Sequence, residues 1–155
     1  MVKNIDKKNV FDTFPWLSIE SVGKSASLAI VFQKNNRLQI VTEQVESREG
    51  FKDSLLPLIE NIAESSVGSI QRISKFVLIN GPGSFTGLRV VNSLIHGIAF
   101  GLNRYMASVS LFELFAFACL ASDRAVEPIK SENLVLNVVL TARLGEYFCC
   151  SIECK

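Results

Sequence analysis

A chain of 155 residues, 48% hydrophobic and 20% charged, has the length and balance of one compact globular domain or one and a fraction, which excludes a disordered chain for most of its span. Lysine and arginine number 16 against 15 aspartates and glutamates, a formal net charge of +1. That balance exerts no global pull on nucleic acid, and no run of Lys or Arg marks a local basic stripe, so strong direct nucleic-acid binding is not expected. Residues 1–15 carry Lys3, Asp6, Lys7, Lys8 and Asp12 and no apolar core of signal-peptide length, and they read as a polar leader of a cytoplasmic protein. Three short strands are predicted next, Trp16 to Ser21, Leu28 to Phe32 and Arg37 to Thr42, separated by the turn-forming stretches Val22-Gly23-Lys24-Ser25 and Lys34-Asn35-Asn36. They suit an antiparallel meander.

Phe51, Leu55, Leu58, Ile59 and Ile62 recur at helical spacing and predict a helix from Asp53 to Glu64, with Pro57 kinking or shifting it unless it falls in the first turn. Lys75 to Asn80 reads as a buried strand, residues 85–102 as a helix and Tyr105 to Val109 as another strand. Ser110 and Glu113 have the spacing of a capping box ahead of a helix reaching Ala121, apolar nearly all round and therefore expected to be buried on several sides. Glu113 and the break near Ser108 leave that apolar stretch too short to span a membrane. Residues 123–133, with Pro128, read as a linker, and Leu134 to Leu140 and Tyr147 to Ile152 as two closing strands. Cys119, Cys149, Cys150 and Cys154 lack metal-ligand spacing, and His96 is the single histidine, so reduced thiols acting as small hydrophobes are expected and no metal site is.

The stretch Gly81-Pro82-Gly83-Ser84-Phe85-Thr86-Gly87-Leu88-Arg89 lies between a strand and a helix. Two readings fit it. Glycine-rich backbone at a helix start can cradle an anion, with Gly81, Gly83, Ser84, Gly87 and Arg89 as candidate contacts, or the turn can serve only to start the helix, with Ser84 or Thr86 as its cap. It is not a Walker motif, since Leu88 and Arg89 stand where Lys and Ser/Thr would be needed. The string resembles the signature of the TsaB family, also called YeaZ, and so do Gly97-Ile98-Ala99-Phe100-Gly101-Leu102-Asn103, Leu55-Leu56-Pro57-Leu58-Ile59 and Val109 to Leu114. Order and spacing agree over residues 16–150.

The resemblance implies an α/β fold of the actin-like, sugar-kinase-like and ribonuclease H-like kind: a first lobe over residues 16–122 with a mixed sheet, and the truncated start of a second lobe over residues 134–155. It further implies a non-catalytic subunit, without cofactor, that docks on a TsaD-type threonylcarbamoyltransferase in tRNA modification. A TsaE-type ATPase would join, and a homodimer would form when the chain is alone. Leu111 and Phe115 stand where the catalytic sister family carries its metal-binding histidines, and neither can ligate a metal. Glu20 stands where that fold places a strand-end carboxylate, Thr141 replaces an Asp and Phe51 a His, while Arg143 and Glu146 read as a surface pair. The rival reading, an M22-type peptidase or a small actin-fold ATPase, needs a reaction centre; a further alternative is a homodimeric degenerate relative with no role in tRNA modification.

On the helix over residues 85–102, Leu88, Val91, Ile95, Ile98 and Leu102 form the predicted core stripe, and Val90, Ser93, Leu94, Gly97 and Gly101 a second one. Small residues at i, i+4, i+8 admit a second helix closely, either from the same lobe or from a partner. The partner surface expected from the resemblance comprises this second stripe together with Leu55, Ile59 and Ile62. His96, in mid-helix without an acidic neighbour at helical spacing, reads as structural.

Overall fold

The computed structural model describes residues 14–22, 25–46, 51–121, 134–142 and 145–154. The predicted linker lies outside these residues, as does nearly all of the leader. Seven strands and three α-helices follow in the order β1 (Trp16–Glu20), β2 (Ser25–Lys34), β3 (Arg37–Glu46), α1 (Phe51–Val67), β4 (Lys75–Ile79), α2 (Phe85–Gly101), β5 (Tyr105–Val109), α3 (Leu111–Leu120), β6 (Leu134–Thr141) and β7 (Tyr147–Cys154), with one 3-10 turn, Ile70–Arg72, before β4. The five-stranded sheet runs β3-β2-β1-β4-β5. Its first three strands form the predicted antiparallel meander, whereas β4 pairs parallel with β1 and β5 parallel with β4.

Alternation decides which face of this sheet is buried. Leu17 and Ile19 of β1, Ala26, Leu28 and Ile30 of β2, and Phe76 and Leu78 of β4 point to one side and meet Leu55, Ile59, Ile62 and Ala63 of α1 and Val91, Ile95 and Ala99 of α2. Full burial of each large side chain contributes about 1.5–3 kcal/mol, so this single layer of contact dominates the stability of the lobe. β2 and β3 are longer than their apolar patterns predict. Their additional rungs, such as Gln33↔Leu38 and Ser27↔Gln44, are held by backbone pairing while polar and half-exposed side chains face water. Helix α1 also outruns its prediction at both ends, and Pro57 lies well inside it; its side chain points outward, so the missing N–H falls on the solvent side.

Helix α3 departs from expectation. Its capping box forms as predicted, with Phe112 N–H donating to Ser110 Oγ at 3.2 Å and Ser110 N–H to Glu113 Oε2 at 2.8 Å. Burial on several sides does not: only Leu111 and Ala116 are buried, while Leu114, Phe115, Leu120 and Phe117, the last 70% exposed, face outward. An apolar surface all round specifies neighbours, and among the described residues this helix has them on one side. Cys119 and Cys149 are exposed thiols rather than the packed ones expected, and Cys150 is half-buried. Strands β6 and β7 pair with each other as a separate antiparallel hairpin and touch α3.

Candidate functional site

The glycine loop joins β4 to α2 at the carboxyl ends of β1 and β4, where ligands bind in sheets of this type. Its backbone is drawn against the end of β1. A Cβ at Gly83 would lie 2.8 Å from both the Cα and the carbonyl oxygen of Val22, and Ser84 N–H donates to that same carbonyl at 3.0 Å. Gly81 has φ +99°, open to glycine at little cost, and its carbonyl accepts from Leu111 N–H at 2.7 Å, tying the loop to the start of α3. Ser84 is the N-cap of α2 and accepts from Gly87 N–H at 3.4 Å. Two of the N–H groups that would meet an anion, those of Ser84 and Gly87, already serve the chain's own oxygens. Arg89 lies with its guanidinium 3.9 Å from the centre of the Phe85 ring.

Glu20 turns its carboxylate back onto the chain and accepts from Val22 N–H, closing the turn after β1. On the sheet face away from α1 and α2, a cavity of about 600 Å³ is walled by Glu20, Ser18, Ser27, Glu43, Gln44 and Leu114 among others. Its charged lining is two carboxylates, which repel an uncompensated phosphate. Leu111 is buried and Phe115 is exposed on α3, and no group of three or more His, Cys, Asp or Glu is placed to hold a metal among the described residues. His96 is exposed on α2 and Nδ1 approaches the carbonyl of Asn92 at 2.8 Å, a local contact with its own helix. Thr141 and Glu146 are exposed at the hairpin turn, and the side chains of Phe51 and Arg143 lie outside the described residues.

The residues expected to form a partner surface divide. Leu55, Ile59 and Ile62 are corrected to core positions, fully or almost fully buried beneath the sheet, because the helical stripe they form is the one that α1 needs to cover β2 and β3. Leu56, beside them, is exposed instead. On α2, Val91, Ile95 and Ala99 are buried, and Leu94 and Ile98 pack partly against the same core. Val90 is half-buried, and Ser93, Gly97 and Gly101 are exposed. A Cβ built at Gly97 or Gly101 meets nothing within 4 Å, so no helix among the described residues occupies the strip. Phe100, 90% exposed, stands beside it, and its place in the run Gly97 to Asn103 carries no sequence signal of exposure.

A mixed five-stranded sheet with two helices on one face, and a glycine turn at its switch from antiparallel to parallel pairing, defines an actin-like, ribonuclease H-like α/β lobe. YeaZ from Pseudomonas aeruginosa has the same fold, with a TM-score of 0.69 and 17% identity, covering 92% of this chain and 62% of that one. The family model described as TsaD, tRNA N6-adenosine threonylcarbamoyltransferase, matches residues 29–131, and the chain belongs to that glycoprotease-like family as a member of its TsaB/YeaZ branch. The tRNA threonylcarbamoyladenosine biosynthesis protein TsaB of Haemophilus influenzae is 24% identical over 133 residues, 85% of this chain and 51% of that protein. The protein of the same name from Buchnera aphidicola is 34% identical over 73 residues, 47% of this chain and 32% of that protein. The chain thus spans about half, or less, of the length of these curated relatives.

Proposed function

We propose that this chain works in tRNA threonylcarbamoyladenosine synthesis as a non-catalytic, TsaB-like subunit in the cytoplasm, docking on a TsaD-type threonylcarbamoyltransferase through α2. The observation that carries the reading is the bare strip of Ser93, Gly97 and Gly101 flanked by the exposed ring of Phe100. Gly97 inside the helix costs about 1 kcal/mol relative to alanine, Gly101 at its end adds less, and no contact among the described residues offsets that cost. A helix of another protein closing on the strip does so, because small side chains let the backbones approach and an aromatic ring beside them anchors the contact. Leu56 on α1 is a second outward apolar group on this reading. The chemistry belongs to the partner, a TsaE-type ATPase joins the assembly, and in isolation the chain pairs with a second copy. Residues 16–122 are the docking lobe, and β6 and β7 begin a second one.

Size-exclusion chromatography with light scattering, run on the chain with and without the TsaD-type subunit of the same source, tests the assembly. Gly97→Leu with Gly101→Leu is expected to keep the fold, since the new side chains enter open space, and to weaken partner binding by about tenfold or more, the loss of a hot-spot contact. A doubly substituted chain that folds and binds as before would refute the reading.

A further inference from the structure

At the end of the sheet opposite the glycine loop, the fold gathers cations that are scattered along the chain. Lys34 and Arg37 are register partners closing β2 and β3, Arg72 ends the 3-10 turn, Lys75 begins β4 and Arg104 immediately precedes β5. These are all the lysines and arginines with described side chains except Arg89. None of them forms an ion pair among the described residues. Arg104 Nη2 donates to the carbonyl of Gln71 at 3.2 Å, which fixes it beside Arg72.

Three further observations point to an absent acceptor. The Lys75 ammonium is buried 5.0 Å from the centre of the Trp16 ring and has no hydrogen-bond partner. The Ser66 hydroxyl, at the end of α1, is likewise buried and unpaired. Between Lys34 and Arg72 opens a cavity of about 720 Å³ whose wall includes Ser66, Phe14 and Phe32, and Phe14 stacks on Trp16 with ring centres 5.1 Å apart.

We propose that this end of the sheet binds a single-stranded nucleic acid, contacting its phosphates with Lys34, Arg37, Arg72 and Arg104 and accepting an unpaired base beside Phe14. Cations without carboxylate partners among the described residues meet the electrostatic requirement of a phosphodiester chain, and aromatic rings next to them supply the stacking that unpaired bases seek. An acidic protein segment would satisfy the cations and leave the rings and the cavity unused. The near-zero net charge of the whole chain makes the binding local and salt-sensitive, in the range of about 10⁻⁴–10⁻⁶ M at physiological salt. The inference does not depend on a TsaD-type partner.

Fluorescence anisotropy of the full chain, alone, with a labelled single-stranded RNA of about 12 nucleotides tests it. Binding is expected to weaken with salt by about 0.7 in log K per log unit of salt for each phosphate contacted. DNA of the same sequence is expected to bind with similar affinity, because the contacts are to the backbone. An abasic strand of equal length is expected to bind about fivefold or more weakly for loss of stacking. Lys34→Glu with Arg72→Glu should lose at least about tenfold in affinity; the neutral pair Lys34→Gln with Arg72→Gln, less disturbing to folding, should lower the salt slope by about 1.4. No binding up to about 10⁻⁴ M, the weak end of the expected range, overturns the proposal. It is equally overturned by a folded charge variant of unchanged affinity, or by an abasic strand that binds as well as the native one.

Discussion

Val22 and Gly83 make the tightest described junction of the glycine loop, and substitution there separates two uses of glycine in one molecule. With only 2.8 Å from an added Cβ to the Val22 backbone, Gly83→Ala forces the loop away from β1, and a loss of about 1–3 kcal/mol is expected in urea denaturation. Gly97→Ala, in open space on α2, is expected to stabilise the chain by up to about 1 kcal/mol by the same measurement. Ser110→Ala removes the cap of α3 and should cost about 1 kcal/mol, with Glu113 losing the reciprocal half of the box. These local features were legible in the sequence, because turn and cap chemistry depends on neighbours a few residues away. The role of Glu20 was not: a carboxylate at the end of a strand has the same sequence signature whether it faces a ligand or folds back onto Val22 N–H. Leu55, Ile59 and Ile62 failed as partner residues for a related reason, since a helical stripe states that a face is buried without naming what buries it.

At the scale of elements, periodicity located each strand and helix, and misplaced mainly the ends that continue into polar residues, as in β2, β3 and α1. The 3-10 turn at Ile70–Arg72 carries too short a pattern to be seen in advance. Helix α3 shows the limit of composition. Its apolar circumference predicts burial, yet Phe115, Phe117 and Leu120 stand outward, and β6 with β7 forms a two-stranded ribbon of the kind that is marginal alone. Amide hydrogen exchange is therefore expected to be slowest in β1, β4 and the part of β2 that pairs with β1, which have strands on both sides, and much faster in β6 and β7. Phe117→Glu is expected to leave the free energy of unfolding within about 0.5 kcal/mol of the original in urea denaturation, as for other exposed sites.

For the whole molecule, the fold class was readable from the family resemblance, with which the run of three strands, a helix and then alternating strands and helices is compatible, and the β3-β2-β1-β4-β5 order realises it. The distribution of charge was not readable. Lys34, Arg37, Arg72, Lys75 and Arg104 are too far apart in sequence to make a basic run, and pairing of β1, β2, β3, β4 and β5 brings them to one end. No helix among the described residues is long and apolar enough to cross a membrane. The same asymmetry sets how the purified protein behaves on a charged resin. At a pH near its isoelectric point, about 7.6, net charge alone forecasts passage through a column of sulfonate beads without delay. The five described cations gathered at this end can instead turn toward the resin and retain the molecule, so elution later than a neutral standard, abolished by the Lys34→Glu, Arg72→Glu pair, would reveal the cluster before any ligand is known.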